Sequence, residues 1–120
     1  MWSATPVTAG CAAAATIGRI PPDRPIRLVK IDVEGGELQV LRGGVATLTR
    51  CRPFVIFEHG KGGADYYGTT TAAVHDLLVA QCGLRISLME RWLAGGRPFT
   101  RAEFIEHFDR GRDFYFLAHP

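Results

Sequence analysis

Val29-Lys30-Ile31-Asp32-Val33-Glu34-Gly35-Gly36-Glu37 is the stretch whose reading decides the fold. The segment that carries it, Ile26 to Val33, is apolar apart from Arg27, Lys30 and Asp32. Beyond it, Leu38, Leu41, Val45 and Leu48 recur every three or four residues. That pattern predicts a buried strand, a tight turn and an amphipathic helix. Three carboxylates, Asp32, Glu34 and Glu37, fall within six residues of the turn. In an open α/β sheet, ligands bind outside the carboxyl ends of the strands, which is where this acidic turn is expected. Gly35 and Gly36 let the backbone turn sharply and approach another group closely.

The chain continues in the same alternation. Gly43-Gly44 interrupts the helix expected from about Gly36 to Arg50 at a cost of ~1 kcal/mol per glycine relative to alanine, so a kink or two short helices is predicted. Pro53 opens a second strand, Phe54 to Glu58, whose nearly continuous apolar character predicts a central strand covered on both faces. The loop His59 to Gly68 leaves the carboxyl end of that strand, on the same edge as Asp32, and its glycines and paired tyrosines suit a substrate loop. Thr69 or Thr70 caps a helix running to Cys82, with Gly83 as its stop. Leu84 to Met89 reads as a strand and Arg91 to Pro98 as a turn. Thr100-x-x-Glu103 is a capping box. The helix it opens buries Phe104, Ile105 and Phe108 and ends at Gly111. Asp113 to Ala118 is the final strand. Residues 26–120 form one expected unit. Residues 1–25 are a poorly patterned segment, with an Ala-rich helix over Ala9 to Gly18 and a stiff Pro21 to Pro25 connection.

Composition narrows the function classes. Hydrophobic residues at 47% and charged residues at 22% are ordinary for a globular domain. A net charge of +2 without a basic run gives no argument for nucleic acid. No apolar run approaches the ~20 residues that span a bilayer. The three cysteines, Cys11, Cys51 and Cys82, form no Cys-x-x-Cys pair, so no metal centre is expected. Their odd count fits a reducing cytoplasm. Each is read as a small buried apolar residue.

The motif itself is specific. Lys30-Ile31-Asp32-Val33-Glu34-Gly35-x-Glu37-Leu38-x-Val40-Leu41-x-Gly43, followed by Arg52-Pro53-x-x-x-x-Glu58, resembles the signature of FkbM-type methyltransferases. The resemblance implies a seven-stranded Rossmann-like class I fold and the cofactor S-adenosylmethionine. It implies O-methylation of a hydroxyl on a small-molecule acceptor, a sugar or secondary metabolite. The strand order matches the C-terminal half of that sheet, parallel strands with an antiparallel last strand beside Phe54 to Glu58. A Gly-x-Gly-x-x-Gly turn after an apolar strand is not found. Gly60-x-Gly62-Gly63 comes nearest, but follows the wrong strand. The N-terminal, cofactor-gripping half is therefore expected to be missing. Strand Ile26 to Val33 would then present an edge for self-association or for pairing with a missing half.

Asp32 ranks first among the candidate site residues. The resemblance places it at the carboxyl end of the fourth strand, facing the cofactor methyl and the acceptor. A carboxylate there can take the proton of a hydroxyl nucleophile. It can instead hold a divalent cation with Glu34 or Glu58, or cap the turn through backbone amides. Glu34 points into the same turn. Glu37 reads as an acid favoured by the helix dipole. Glu58 matches an acid of the family, and His59 beside it suits general base work near neutral pH. Tyr66 and Tyr67 either line an acceptor pocket or pack the loop. His75, His107 and His119 read as solvated surface. A metal-dependent hydrolase built on Asp32, Glu34 and Glu58 lacks any accompanying motif.

Overall fold

A computed structural model describes residues 21, 23–33, 35–64 and 68–120. Glu34, Tyr66, Tyr67 and the Ala-rich segment lie outside the described residues. Strand β1 (Leu28–Ile31) leads into helices α1 (Glu37–Gly43) and α2 (Val45–Cys51), then β2 (Phe54–Glu58). Helix α3 (Thr71–His75) continues without a break into a π-helical stretch (Asp76–Gln81). Strand β3 (Arg85–Ser87), helices α4 (Met89–Leu93) and α5 (Arg101–Asp109), and strand β4 (Tyr115–His119) complete the order.

The four strands form one sheet in the order β1-β2-β4-β3. β1 and β2 are parallel, and β4 is antiparallel to both β2 and β3. β1, β2 and β3 therefore point the same way, with the last strand inserted against them between the second and third. This is the antiparallel final strand that the family resemblance implies.

Strand pairing sorts the side chains by face. Val29, Ile31, Val55, Phe57, Phe116, Ala118 and Ile86 share one face through the register, and all belong to the core. Phe104 of α5 enters this face edge-on to Phe116, 4.9 Å between ring centres. Fully burying a side chain of this size stabilises by roughly 1.5–3 kcal/mol. The other face is covered unevenly. Leu117, Ser87 and His119 are buried, Phe54 and Ile56 are half-buried, and Leu28 is 57% exposed. The expectation of a β2 sealed on both faces is thus corrected. Trp92 of α4 sits edge-on to Phe54 at 5.1 Å and covers that face locally.

Local signals explain most boundaries. Gly44 ends α1 and opens α2, its N–H reaching the carbonyls of Val40 and Leu41. The predicted interruption at Gly43-Gly44 is therefore a break into two helices. Thr70 caps α3 by accepting from the Ala73 N–H at 3.2 Å. Thr100 and Glu103 form the capping box of α5, with both reciprocal bonds present. Gly83 comes after the π-helical stretch with φ +71°, and its carbonyl accepts from the Arg52 guanidinium at 2.6 Å. That bond ties the start of β2 to the end of the α3 continuation.

Several expectations need correction. β1 and β3 are shorter than their apolar runs, because pairing, and not apolarity, sets their ends. Arg91 to Pro98 is not all turn: Met89–Leu93 is a helix, and the chain turns only after Leu93. The three histidines expected on the surface are drawn in from it to different degrees. His119 is buried and hydrogen-bonded to Ser87 Oγ at 3.0 Å. His107 is half-buried and bonded to Asp113 at 2.9 Å, and His75 is half-buried beside Phe104. Cys82 is buried, and burial raises its thiol pKa, whereas Cys51 is only half-buried.

Candidate functional site

Because β1 and β2 are parallel, their carboxyl ends share one edge of the sheet. Ile31 pairs with Phe57, so one further step of the register sets Asp32 opposite Glu58. Glu58 in turn pairs with Tyr115 of β4. Asp32, Glu58 and Tyr115 thus form a row across three strands on the less covered face. Asp32 and Tyr115 are exposed and Glu58 is half-buried. The row is electrostatically coupled. The charge of Asp32, then that of Glu58, and least of all burial, raise the Tyr115 phenol above its ordinary range.

The next residue along β2 faces the opposite way, as the two-residue period of a strand requires. His59 has no accessible surface. Its backbone N–H donates to the Phe114 carbonyl at 2.7 Å, extending the pairing of β2 with the β4 side. Its ring stacks on Phe108 at 4.6 Å and lies near Phe104. Nδ1 meets Glu37 Oε1 at 2.8 Å, and Nε2 meets Thr71 Oγ1 at 3.0 Å. An ionised carboxylate only accepts, so Nδ1 carries a hydrogen in this arrangement. In a neutral imidazole, Nε2 then accepts from the Thr71 hydroxyl. This chain of three side chains fastens α1, β2 and α3 together.

Glu37 is also buried, 1% exposed, at the first position of α1. The dipole reading of Glu37 accounts for its place in the helix but not for its direction. Its Oε2 has no hydrogen-bond partner among the described residues. The preceding turn aims it inward. Gly35 adopts φ +101°, a backbone conformation that suits glycine, and its carbonyl accepts from Thr69 Oγ1 at 3.3 Å.

Between rim and core lies a cleft of about 220 Å³, lined by Gly35, Glu37, Glu58, the Gly60 to Ala64 loop and Phe114. Glycine at position 60 permits this shape. A Cβ there would sit 2.3 Å from Phe114 Cδ1. Among the described residues, no group of three or more His, Cys, Asp or Glu side chains is placed to hold a metal ion. No helix among them is long and apolar enough to cross a membrane.

This geometry meets a match at the level of sequence families. The model of the methyltransferase FkbM domain matches residues 14–86, more than half of the chain. The chain belongs to the FkbM methyltransferase family. A search of the curated proteins found no match, and neither did a search of the solved structures. The FkbM match spans β1 through most of β3, including Asp32, Glu37, Glu58 and His59.

The structure brings together Asp32 and Glu58 at the rim, and it encloses His59 behind them. Sequence reasoning missed the Glu37–His59–Thr71 chain and the place of Tyr115. A signal for the first was present. Glu58-His59 at the end of an alternating strand requires the two side chains to face opposite ways, so one of them must enter the core.

Proposed function

We propose that this FkbM-family chain takes part in S-adenosylmethionine-dependent O-methylation of a hydroxyl on a small-molecule acceptor, a sugar or secondary metabolite. The observation that carries the reading is the exposed Asp32 carboxylate at the end of a parallel strand, opposite Glu58 one register step beyond the Ile31–Phe57 pair. The cofactor supplies an electrophilic methyl group on a sulfonium centre. The described residues suit that end of it, since Asp32 and Glu58 offer negative charge toward a cation. They include no glycine-rich turn of the kind that grips a nucleoside.

In this reading Asp32 accepts the proton of the acceptor hydroxyl as its oxygen becomes the nucleophile. Glu58 and Tyr115 orient the acceptor, one by accepting hydrogen bonds and the other by offering a phenol and a ring face. Tyr66, Tyr67 and Glu34, which lie outside the described residues, are assigned to the acceptor side from the sequence alone. His59 acts as a positioning residue, through Glu37.

The test is calorimetric titration with S-adenosylmethionine, and then incubation with labelled cofactor and a panel of polyhydroxylated acceptors. Saturable binding and label transfer that fall together in Asp32→Asn are expected. Binding without any transfer across sugars and phenols would defeat the proposed acceptor class.

A second reading is favoured by one observation. Among the described residues β1 pairs on one side only, and Leu28 on it is 57% exposed. An open strand edge invites another strand. In that reading the chain is a non-catalytic module that pairs through β1 with another copy or with a cofactor-binding partner. Light scattering discriminates: self-association without cofactor binding supports the module, and cofactor binding by a monomer removes it.

A further inference from the structure

β1, β2 and β3 point the same way, so their starts share one edge of the sheet, opposite the Asp32 rim. Arginines collect at that edge. Arg27 stands immediately before β1, Arg52 shortly before β2, and Arg85 is the first residue of β3. Arg52 donates to the carbonyl of Gly83, which ties it to the approach to Arg85. Arg50, near the end of α2, reaches the Arg24 carbonyl at 3.5 Å, which brings both residues to the same edge. All five are exposed, and none has an ion-pair partner among the described residues. The contrast with the rest of the chain is clear. Arg91 and Arg97 meet Glu103, Arg101 meets Asp76, and Arg110 meets Glu106. Asp23 lies beside Arg27 and Arg50 and offsets one of these charges at most.

Apolar surface adjoins the arginines. The register sets Leu28, Phe54, His119 and Arg85 in one row on the less covered face. Trp92 lies over that row, 5.1 Å from Phe54 and 6.1 Å from His119 between ring centres. Leu28, Trp92 and Leu93 nevertheless remain exposed, Leu93 to 70%.

We propose that this edge rests on the surface of an anionic phospholipid membrane. The arginines meet the phosphate headgroups, and Leu28, Trp92 and Leu93 enter the boundary beneath them. A guanidinium is less strongly hydrated than an ammonium and holds a phosphate through two parallel N–H donors. An indole is favoured at headgroup level, where one part of it is wet and the rest apolar. A nucleic acid would satisfy the arginines but offer no apolar layer to the leucines. Since no helix among the described residues is long and apolar enough to cross a membrane, the contact is a surface one. The Asp32 rim then faces away from the lipid. The inference goes beyond the methyl-transfer reading and does not depend on it.

The test needs neither methyl donor nor acceptor. The whole chain is mixed with vesicles of phosphatidylcholine alone, or with about one-third phosphatidylglycerol, and the bound fraction is measured by flotation. One arginine near an anionic surface is worth about fivefold in partitioning. Binding to the anionic vesicles is therefore expected to be at least about a hundredfold tighter, and to weaken as salt is raised. Arg27→Gln combined with Arg85→Gln should lose about tenfold or more. Leu93→Ser should weaken binding severalfold and leave its salt dependence unchanged. In a Trp2→Phe background, the emission of Trp92 should shift to the blue on the anionic vesicles. Equal binding to both vesicles, undiminished binding by the folded double arginine variant, or tighter binding to a single-stranded RNA than to the anionic vesicles would overturn the proposal. Should the double variant not fold, the vesicle and RNA comparison on the unaltered protein decides.

Discussion

Two carboxylates of one short turn region have opposite fates. Asp32 stands exposed at the rim of the sheet, and Glu37, five positions later, is enclosed against His59. Both are acids at the carboxyl edge of β1, yet one meets solvent and the other meets protein. The difference separates reactivity from architecture. A rim carboxylate is free to meet an acceptor and contributes little to stability. A buried carboxylate holds three elements together, and removing its partner leaves a charge without compensation.

The contrast can be broken most forcefully at His59. His59→Ala should destabilise the fold by about 3–5 kcal/mol, because Glu37 would keep its burial and lose its only identified donor. Denaturant unfolding measures this, and a loss below about 1 kcal/mol would show that the buried pair is not holding the helices to the sheet. Asp32→Asn should do the reverse. Methyl transfer should fall by about a hundredfold or more, with stability unchanged within about 0.5 kcal/mol. A thermal melt and a turnover assay on the same preparation check both halves of that statement.

Thr71→Val sharpens the comparison at the far end of the buried chain. It leaves His59 Nε2 without its hydroxyl partner and should cost about 1–3 kcal/mol, read from the denaturant midpoint. The smallest effect concerns an acid outside both groups. Glu103 is held down to about 2 from its ordinary 4.5, chiefly by its hydrogen bond from Arg97 and then by the Thr100 backbone. A depressed carboxylate stabilises the fold above its unfolded pKa, and that contribution is lost as pH falls. For Glu103 the loss runs from about 4.5 down through about 2. Glu103→Gln should flatten the acid branch of the stability curve in that window, with its small loss of stability seen at neutral pH and the two proteins converging as pH falls toward about 2.

The sequence was most legible where the determining signal is local. The Pro53 start and apolar run of β2 gave Phe54 to Glu58 without revision. Thr100 and Glu103 announced their own capping box, and Gly43-Gly44 announced the break between α1 and α2. The antiparallel last strand was legible through family resemblance and not through its own residues. What escaped depends on partners distant in the chain. His119 is buried because the β3–β4 register delivers Ser87 to it, 32 residues away. Nothing beside His119 in the sequence carries that information. Glu37 looked like an ordinary acid at a helix start, since the residue that claims it, His59, lies 22 positions on. Helix Met89–Leu93 was hidden by its brevity, and its Trp92 finds a purpose only against Phe54.

The central place of β4 has a consequence for how the chain is made. Residues 115–119 lie between β2 and β3, so those two strands have no neighbour on their facing sides until that segment has left the ribosome. From residue 58 to residue 115 the nascent polypeptide carries Val55 and Phe57, and from residue 87 also Ile86, with their β4 partner still untranslated. Chaperone contact is expected to persist to the final codons of this segment, then end abruptly as the sheet closes.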